Sequence, residues 1–295
     1  MSRGELQARV RSGVWRVVWP GVLCDAGSTL DDERRAFAAV LASGGPARAV
    51  AAGRTAARLW SLPLLDDQDP ATGAHERRFD EVLVRHAPGP LRRASPEGER
   101  VLRRLVRHTG RGEVVRHPSG LWVTSPLRTI VDGSTLLSQE ALVSLVDAAL
   151  HRHLVDELGL RSAVEALRWC PGAPALRWAA ERADRRAESP AETLARLALR
   201  PALQDLVPQH RLVHDGRVLA RFDLADERRR FAVEVDGKAG HAGPEMAAKD
   251  RLRDRVARQH GWHTERVTWW ELRCDREALV RRVTAAAEEH TRRSS

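Results

Sequence analysis

Residues 221–241 read Arg221-Phe-Asp-Leu-Ala-Asp-Glu-Arg-Arg-Arg-Phe-Ala-Val-Glu-Val-Asp-Gly-Lys-Ala-Gly-His241. Two runs of mainly apolar and β-branched residues flank a polar turn, a pattern that predicts an antiparallel hairpin. If the turn is centred between Arg228 and Arg229, Asp223 and Glu234 face each other on neighbouring strands. Their Cβ atoms then lie about 5 Å apart, because opposed residues on one sheet face are immediate neighbours.

Further charged groups follow along the second strand of this hairpin. The period of two places Asp236 on the same face as Glu234. Lys238 joins them if the strand continues, whereas a bend at the intervening glycine makes His241 or Lys249 the better candidate for a catalytic base. The sequence leaves these alternatives open.

Two or three carboxylates thus converge on one sheet face. Such crowding raises the free energy unless a proton or a cation neutralises it. A hard divalent cation with oxygen ligands, Mg²⁺ above all or Mn²⁺, is the simplest remedy, so Asp223, Glu234 and Asp236 are the expected metal ligands. The alternative is an exposed hairpin whose acids form ion pairs with Arg221, Arg228 and Arg230.

The flanking segments complete the order αβββαβα. Ser189-Pro-Ala-Glu192 predicts a helix start with a capping box and a proline at its first position. His214-Asp-Gly216 predicts a hairpin turn. The remaining elements are a helix from Pro244 to His260 with Gly261 after its end, a strand from Trp262 to Trp269, in which the tryptophans are expected to pack in the core or at the edge, and a helix that begins after Asp275 and reaches about His290.

Residues 186–290 resemble the PD-(D/E)XK nuclease superfamily. The layout is most similar to the very-short-patch-repair endonuclease group and its relatives in domain-of-unknown-function family 559. The matching positions are Arg221, Asp223, Glu234, Asp236, Gly237, His241, Asp250, Arg251, Arg253, Asp254, Gly261, Trp262, Arg266, Thr268 and Trp269.

This resemblance implies a restriction-endonuclease-like fold that hydrolyses phosphodiester bonds, with Mg²⁺ held by Asp223 and Glu234. Asp236 stands where the superfamily has its catalytic lysine, so Lys238 and His241 are the candidates for that role. Related nucleases often place an accessory acid at the position of Glu192, although the capping box already explains this residue.

Composition favours an intracellular protein that contacts a polyanion. The net charge is +9, and only two of the 49 basic residues are lysines. A basic surface suits nucleic acid. No apolar run approaches the length of a membrane span and no secretory segment is found, so we expect a cytoplasmic protein. The three cysteines are too far apart for zinc or disulfide spacing, and we expect inert buried thiols.

The amino-terminal segment predicts a helix from Glu5 to Ser12 and a hairpin whose strands, 14–18 and 21–24, flank a Trp-Pro-Gly turn. Residues 10–23 resemble the end of the winged helix of AbiEi-type antitoxins, without the upstream helices. In such a wing, arginines contact phosphates. The expected nucleic-acid contacts are Arg3, Arg9, Arg11 and Arg16 here, and Arg221, Arg251 and Arg253 in the nuclease-like part.

Residues 26–184 are predicted to be mostly helical and AbiEi-like, with a small sheet and with residues 177–186, much of which can be helical, as the best linker. The predicted α/β (α+β) protein therefore has a partial winged-helix element in 1–25, a helical domain in 26–184 and a nuclease-like domain in 185–295. We expect a DNA-directed, divalent-metal-dependent endonuclease, with a toxin or another defence protein as a further partner. The alternative is a non-catalytic, antitoxin-like DNA-binding regulator with a degenerate nuclease domain.

Overall fold

In a computed structural model of the chain, the described residues are 1–72, 74, 79–84, 89–90, 100–105, 112–236 and 254–294. They form a mixed α/β protein with several sheets. No helix in these ranges is long and apolar enough to cross a bilayer. The chain divides into two compact units: the first comprises Met1–Asp67, Glu76–Ser138 and Leu154–Arg177, and the second comprises Gln68–His75, Gln139–His153 and Trp178–Ser295.

The amino-terminal end of the first unit contains the predicted helix and hairpin. Helix α1 spans Arg3–Arg11, and its cap Ser2 forms a capping box with Glu5. Strands β1 (Trp15–Trp19) and β2 (Val22–Asp25) pair in antiparallel fashion. The hairpin is anchored by Trp19, whose side chain is fully buried in the core of this unit.

The sheet of the first unit is larger than the predicted small sheet. It has six strands in the order β5-β6-β4-β3-β8-β7. Strands β3, β7 and β8 are three residues long and β5 is two, and the sequences of β3 and β7 give no alternating run that sequence reasoning could detect. The strands are β3 (Ala49–Ala51), β4 (Phe79–Val84), β5 (Gly89–Pro90), β6 (Arg100–Leu105), β7 (Val114–Arg116) and β8 (Trp122–Thr124).

Helices account for much of the remaining first unit. Helix α7 extends to Arg182, so residues 177–182 of the predicted linker region are helical, as that prediction allowed, and Trp178–Arg182 belong to the second unit. The short helix α3 precedes β4 in the chain, and α4 follows β8, as the Ser125-Pro126 cap predicts. The helices are α2 (Asp32–Ala42), α3 (Gly53–Leu59), α4 (Pro126–Gly133), α6 (Glu157–Ala166) and α7 (Ala173–Arg182).

The second unit contains a four-stranded sheet in the order β12-β11-β10-β9. Neighbouring strands are antiparallel except for β11 and β12, which are parallel. Its helices are α5 (Gln139–His151), α8 (Pro190–Leu199), α9 (described over 254–259), α10 (Trp269–Cys274) and α11 (Arg276–Ser294), and its strands are β9 (Val207–His214), β10 (Arg217–Asp226), β11 (Phe231–Asp236) and β12 (His263–Thr268).

Both hairpin turns of this sheet lie where the sequence places them. Asp215 and Gly216 have φ angles of 49° and 73°, the left-handed conformation that a two-residue hairpin turn of this kind requires. Leu224 pairs with Val233 and Asp226 with Phe231, which confirms the predicted register of β10 and β11.

Helix α10 was not predicted: the predicted strand extends to Trp269, and the next predicted helix begins after Asp275. Its start carries a recognisable pattern. Thr268 accepts a hydrogen bond from the backbone N–H of Glu271, whose carboxylate accepts one from the backbone N–H of Thr268. This Thr-x-x-Glu capping box was present in the sequence and could have located the helix.

A buried ion pair joins α5 to α8. Asp147 and Arg196 are both about 1% exposed and lie 2.6 Å apart. Asp147 also accepts hydrogen bonds from the hydroxyl of Thr193 and from the backbone N–H of Asp184. Burial raises the pKa of Asp147, while the Arg196 guanidinium opposes that rise. Helix α5, which the sequence assigned to the 26–184 domain, is therefore bound to the first helix of the nuclease-like segment.

Loss of one partner from this pair should strongly destabilise the second unit. Asp147→Ala leaves the Arg196 guanidinium buried without its counter-charge, which costs about 3–5 kcal/mol. The control is Arg281→Ala, which removes an exposed ion pair to Glu277 and should cost less than about 1 kcal/mol. Urea unfolding followed by circular dichroism measures both, and similar losses in the two variants would contradict the assignment.

Candidate active site

Four polar residues form a row across one face of the sheet in the second unit. The paired residues of β10 and β11 end at Leu224 and Val233, and the same register extended by one residue places Asp223 opposite Glu234. The pairs on either side in β9 and β10 place Gln209 opposite Asp223, and Glu234 pairs with Arg266 on β12. We call Gln209, Asp223, Glu234 and Arg266 the polar row. Residues paired across neighbouring strands lie on the same face of a sheet, so the four side chains lie side by side in the strand order β9, β10, β11 and β12.

The two acids at the centre of the polar row are partly buried. One carboxylate oxygen of Asp223 accepts a hydrogen bond of 2.8 Å from the backbone N–H of Val235. This bond crosses from β10 to β11 and fixes the Asp223 side chain beside the strand that carries Glu234. This hydrogen bond holds the Asp223 side chain against the backbone one residue beyond Glu234, in keeping with the register.

A third acid reaches the polar row from α8. Glu192 is only 7% exposed, and its carboxylate accepts hydrogen bonds from the Gln209 side chain (2.8 Å) and from the backbone N–H of Glu188 (2.9 Å). Burial raises the pKa of Glu192, and the nearby charge of Asp223 raises it further, while the hydrogen bonds that the carboxylate accepts lower it.

The capping interpretation of Glu192 therefore needs correction. Ser189 caps the helix as predicted, because its hydroxyl accepts the backbone N–H of Glu192. The reciprocal bond of a capping box is missing, since the Glu192 carboxylate binds the N–H of Glu188 instead of that of Ser189. The Glu192 carboxylate also accepts a hydrogen bond from the side-chain amide of Gln209. Only tertiary packing could reveal this, so the sequence alone favoured the cap.

Asp236 lies two residues beyond Glu234 and is exposed. Its carboxylate is 4.0 Å from the guanidinium of Arg266. Arg266 also forms a 2.9 Å salt bridge with Asp254 at the described start of α9. Within the described ranges, no group of three or more His, Cys, Asp or Glu side chains is arranged to hold a metal ion. The expected ligand set of Asp223, Glu234 and Asp236 stays a prediction.

Several predicted site residues lie outside the described residues. They are the three candidates for the catalytic base, two of the expected DNA contacts and one further acid that matches the nuclease family. In that order, these residues are Lys238, His241 and Lys249, then Arg251 and Arg253, and Asp250.

Two of the expected DNA-binding arginines are engaged within the chain. Arg221 forms a bidentate pair with Glu188, at 2.6 and 3.1 Å, so it does not serve the hairpin acids as the alternative interpretation required. Arg16 donates to the carbonyl of Ser28 and to the sulfur of Cys24. Both interactions direct the guanidinium toward the protein.

The other three arginines of the amino-terminal segment, Arg3, Arg9 and Arg11, are exposed. Arg9 lies over the ring of Trp15, 5.0 Å from its centroid, and Arg11 is in the last turn of α1. They remain available for a phosphate contact.

The expectation of buried cysteines was wrong at two positions, since Cys170 and Cys274 are exposed free thiols. Among the tryptophans expected in the core or at the edge, Trp262 is buried at 5% exposure, and the neighbouring Trp270 is 51% exposed.

The donor set suits a hard divalent cation. Asp223 and Glu234 offer carboxylate oxygens on one face, and Mg²⁺ characteristically takes one or two carboxylates and keeps several waters. The third carboxylate, Glu192, accepts a hydrogen bond from Gln209 and lies close enough to Asp223 for that charge to raise its pKa.

Comparisons with known proteins identify distant similarity only. The chain is 30% identical over 164 residues to uncharacterized proteins from two Mycobacterium tuberculosis strains, CDC 1551 and H37Rv. The aligned region covers 54% of this chain and 59% of each relative, so the chain spans less than two thirds of their length. No protein-family model and no solved structure matches it.

The raised pKa of Glu192 predicts a pH-dependent cost to stability. The folded protein binds a proton at Glu192 more tightly than the unfolded chain, where the ordinary value is 4.5. The unfavourable contribution is therefore fully present above the folded pKa and disappears as the pH falls below the unfolded value. Glu192→Gln should raise the free energy of unfolding at neutral pH, and this gain should shrink in acid.

Urea titrations at neutral pH and below pH 4.5 test this expectation. Glu227→Gln is the control, because it makes the same change at an exposed position of the same sheet. A Glu192→Gln protein that is less stable than the parent at neutral pH would show that the carboxylate's hydrogen bonds outweigh its burial.

Proposed function

We propose that the protein is a divalent-metal-dependent endonuclease of the PD-(D/E)XK type that hydrolyses phosphodiester bonds in DNA. The observation that carries this proposal is the position of Asp223 opposite Glu234 on adjacent antiparallel strands, with Glu192 buried beside them. Glu192 lies close enough to Asp223 for that charge to raise its pKa, and like charges held near one another raise the free energy of the fold unless a proton or a cation neutralises them.

The path of the chain in the second unit supports the proposal. Helix α8 precedes three antiparallel strands, and α9 then connects β11 to the parallel strand β12. This is the order that the resemblance implies for a restriction-endonuclease-like domain. The short helix α10, before the last helix, is an addition to that order.

Each residue of such a site would have a separate role. A cation bound to Asp223 and Glu234 would supply charge stabilisation at the phosphate and acidify a water. The Val235 backbone N–H orients Asp223, and Glu192 orients Gln209 next to it. Asp236, at the position of the superfamily's lysine, is a carboxylate held near Arg266, so the candidates for the base remain Lys238 and His241.

The net charge of +9 supports DNA as the partner. A basic protein is attracted to the phosphate backbone without regard to sequence, and this attraction weakens as salt rises. Arg9 and Arg11, which are exposed on α1, are contacts of this kind.

A second candidate function is that of a non-catalytic, antitoxin-like DNA-binding regulator. The specific observation in its favour is the arrangement of α1 against the β1–β2 hairpin, with Arg9 and Arg11 exposed. A regulator of this kind would bind DNA and cut none, and a toxin or another defence protein would be its partner. Cleavage assays separate the two candidates.

The purified full chain should cut DNA when Mg²⁺ or Mn²⁺ is present, and cleavage should stop when a chelator removes the metal. Asp223→Asn and Glu234→Gln should each lower the cleavage rate by about a hundredfold or more, because several kcal/mol of charge stabilisation is lost and each 1.36 kcal/mol is tenfold. The matched control is Asp215→Asn, which changes an exposed acid in the turn of the same sheet and should leave the rate unchanged.

Supercoiled plasmid and single-stranded DNA are both used as substrates, with cleavage followed on gels. Cutting that survives in Asp223→Asn and Glu234→Gln would locate the activity elsewhere. DNA binding without any cutting would favour the regulator.

A further inference from the structure

We propose that Arg266 forms a phosphate-binding site at the end of the polar row and takes over the positive charge that the superfamily's lysine provides. This inference rests on the proposed endonuclease function. The ligand class is a phosphodiester group of nucleic acid, contacted at its non-bridging oxygens.

The position of Arg266 is the first argument. It pairs with Glu234 on the neighbouring parallel strand, and adjacent strands lie about 4.8 Å apart. Among the four members of the polar row it is the only cation. A phosphate bound at the Asp223–Glu234 pair would therefore meet Arg266 as the next group along the sheet, and 41% of the Arg266 side chain is accessible to such a ligand.

The residue at the lysine position is the second argument. Asp236 cannot supply a positive charge, but its carboxylate lies 4.0 Å from a guanidinium nitrogen of Arg266. Asp236 thus lies near Arg266 on β12, so a positive charge is still present at this edge of the site. Arginine is charged at every accessible pH, so Arg266 stabilises negative charge on the phosphate and does not act as a base.

The salt bridge to Asp254 is the third argument. It holds one side of the guanidinium at 2.9 Å, which restricts the side chain before substrate binds. Arginine presents several N–H donors in a planar fork and can bind a carboxylate and a phosphate together. The rival explanation is that Arg266 is a structural clip that joins β12 to α9 through Asp254.

Three variants separate these explanations. Arg266→Gln removes the charge, Arg266→Lys keeps it without the fork, and Asp254→Asn breaks the clip but leaves Arg266 in place. If Arg266 binds phosphate, Arg266→Gln lowers the cleavage rate by about a hundredfold to a thousandfold, Arg266→Lys recovers part of the loss, and Asp254→Asn, which removes only the restraint on Arg266, causes a loss at least about tenfold smaller than that of Arg266→Gln. A clip predicts equal losses in Arg266→Gln and Asp254→Asn.

Binding of a fluorescent DNA oligonucleotide in chelator provides a second readout that needs no cleavage. Loss of one phosphate contact should weaken binding and reduce the slope of log affinity against log salt by about 1 in Arg266→Gln, whereas Asp254→Asn should keep the slope. Thermal unfolding checks that the variants are folded. If Arg266→Gln is unstable, Arg266→Lys carries the test through its cleavage loss.

The two hypotheses fail in different ways. Metal-dependent cleavage that is unaffected by Arg266→Gln would overturn the role of Arg266 and leave the endonuclease intact. No cleavage by the parent chain, with a reduced salt slope in Arg266→Gln, would reject the endonuclease and retain the phosphate contact. An unchanged slope in that case would reject both.

Discussion

The pairing of Leu224 with Val233 determines which side chains of β10 and β11 meet. Because side chains alternate between the two faces of a sheet, a shift of one residue would move one of the acids to the opposite face. Asp223 would then face the buried side that Phe222 and Leu224 occupy. The tight turn between the strands and the fully buried Phe231 on β11 hold the register. The polar row, its link to α8 and every chemical argument about the site depend on this alignment.

Local patterns predicted the parts of the fold that local chemistry determines. The β10–β11 register, the Asp-Gly turn and the start of α8 each depend on residues close together in the chain, and all three are found. The six-stranded sheet is different, because its short strands β3 and β7 are stabilised by distant partners. Their sequences carry little information by themselves, so the amino-terminal region was predicted to be mostly helical.

The candidate site shows the same division. The opposition of Asp223 and Glu234 was predictable from spacing, since one hairpin contains both. The environment of Glu192 was not, because it depends on the packing of α8 against the sheet and on Gln209 from a separate strand. Its burial raises its pKa and works against folding at neutral pH, a cost that is common where a protein needs a particular electrostatic environment. The positions of Lys238 and His241 stay predictions.

The ion pair between Asp147 and Arg196 limits where the chain can be cut or recombined without breaking up one compact unit. Helix α5 lies almost forty residues before α8 in the chain, yet it belongs to the same compact unit. A fragment that starts at residue 185 would carry Arg196, in the middle of α8, without the carboxylate that neutralises it. The second unit is therefore not one continuous segment of the chain. Recombination or truncation at residue 185 would separate the candidate catalytic residues from α5, which is part of the hydrophobic core of the same unit.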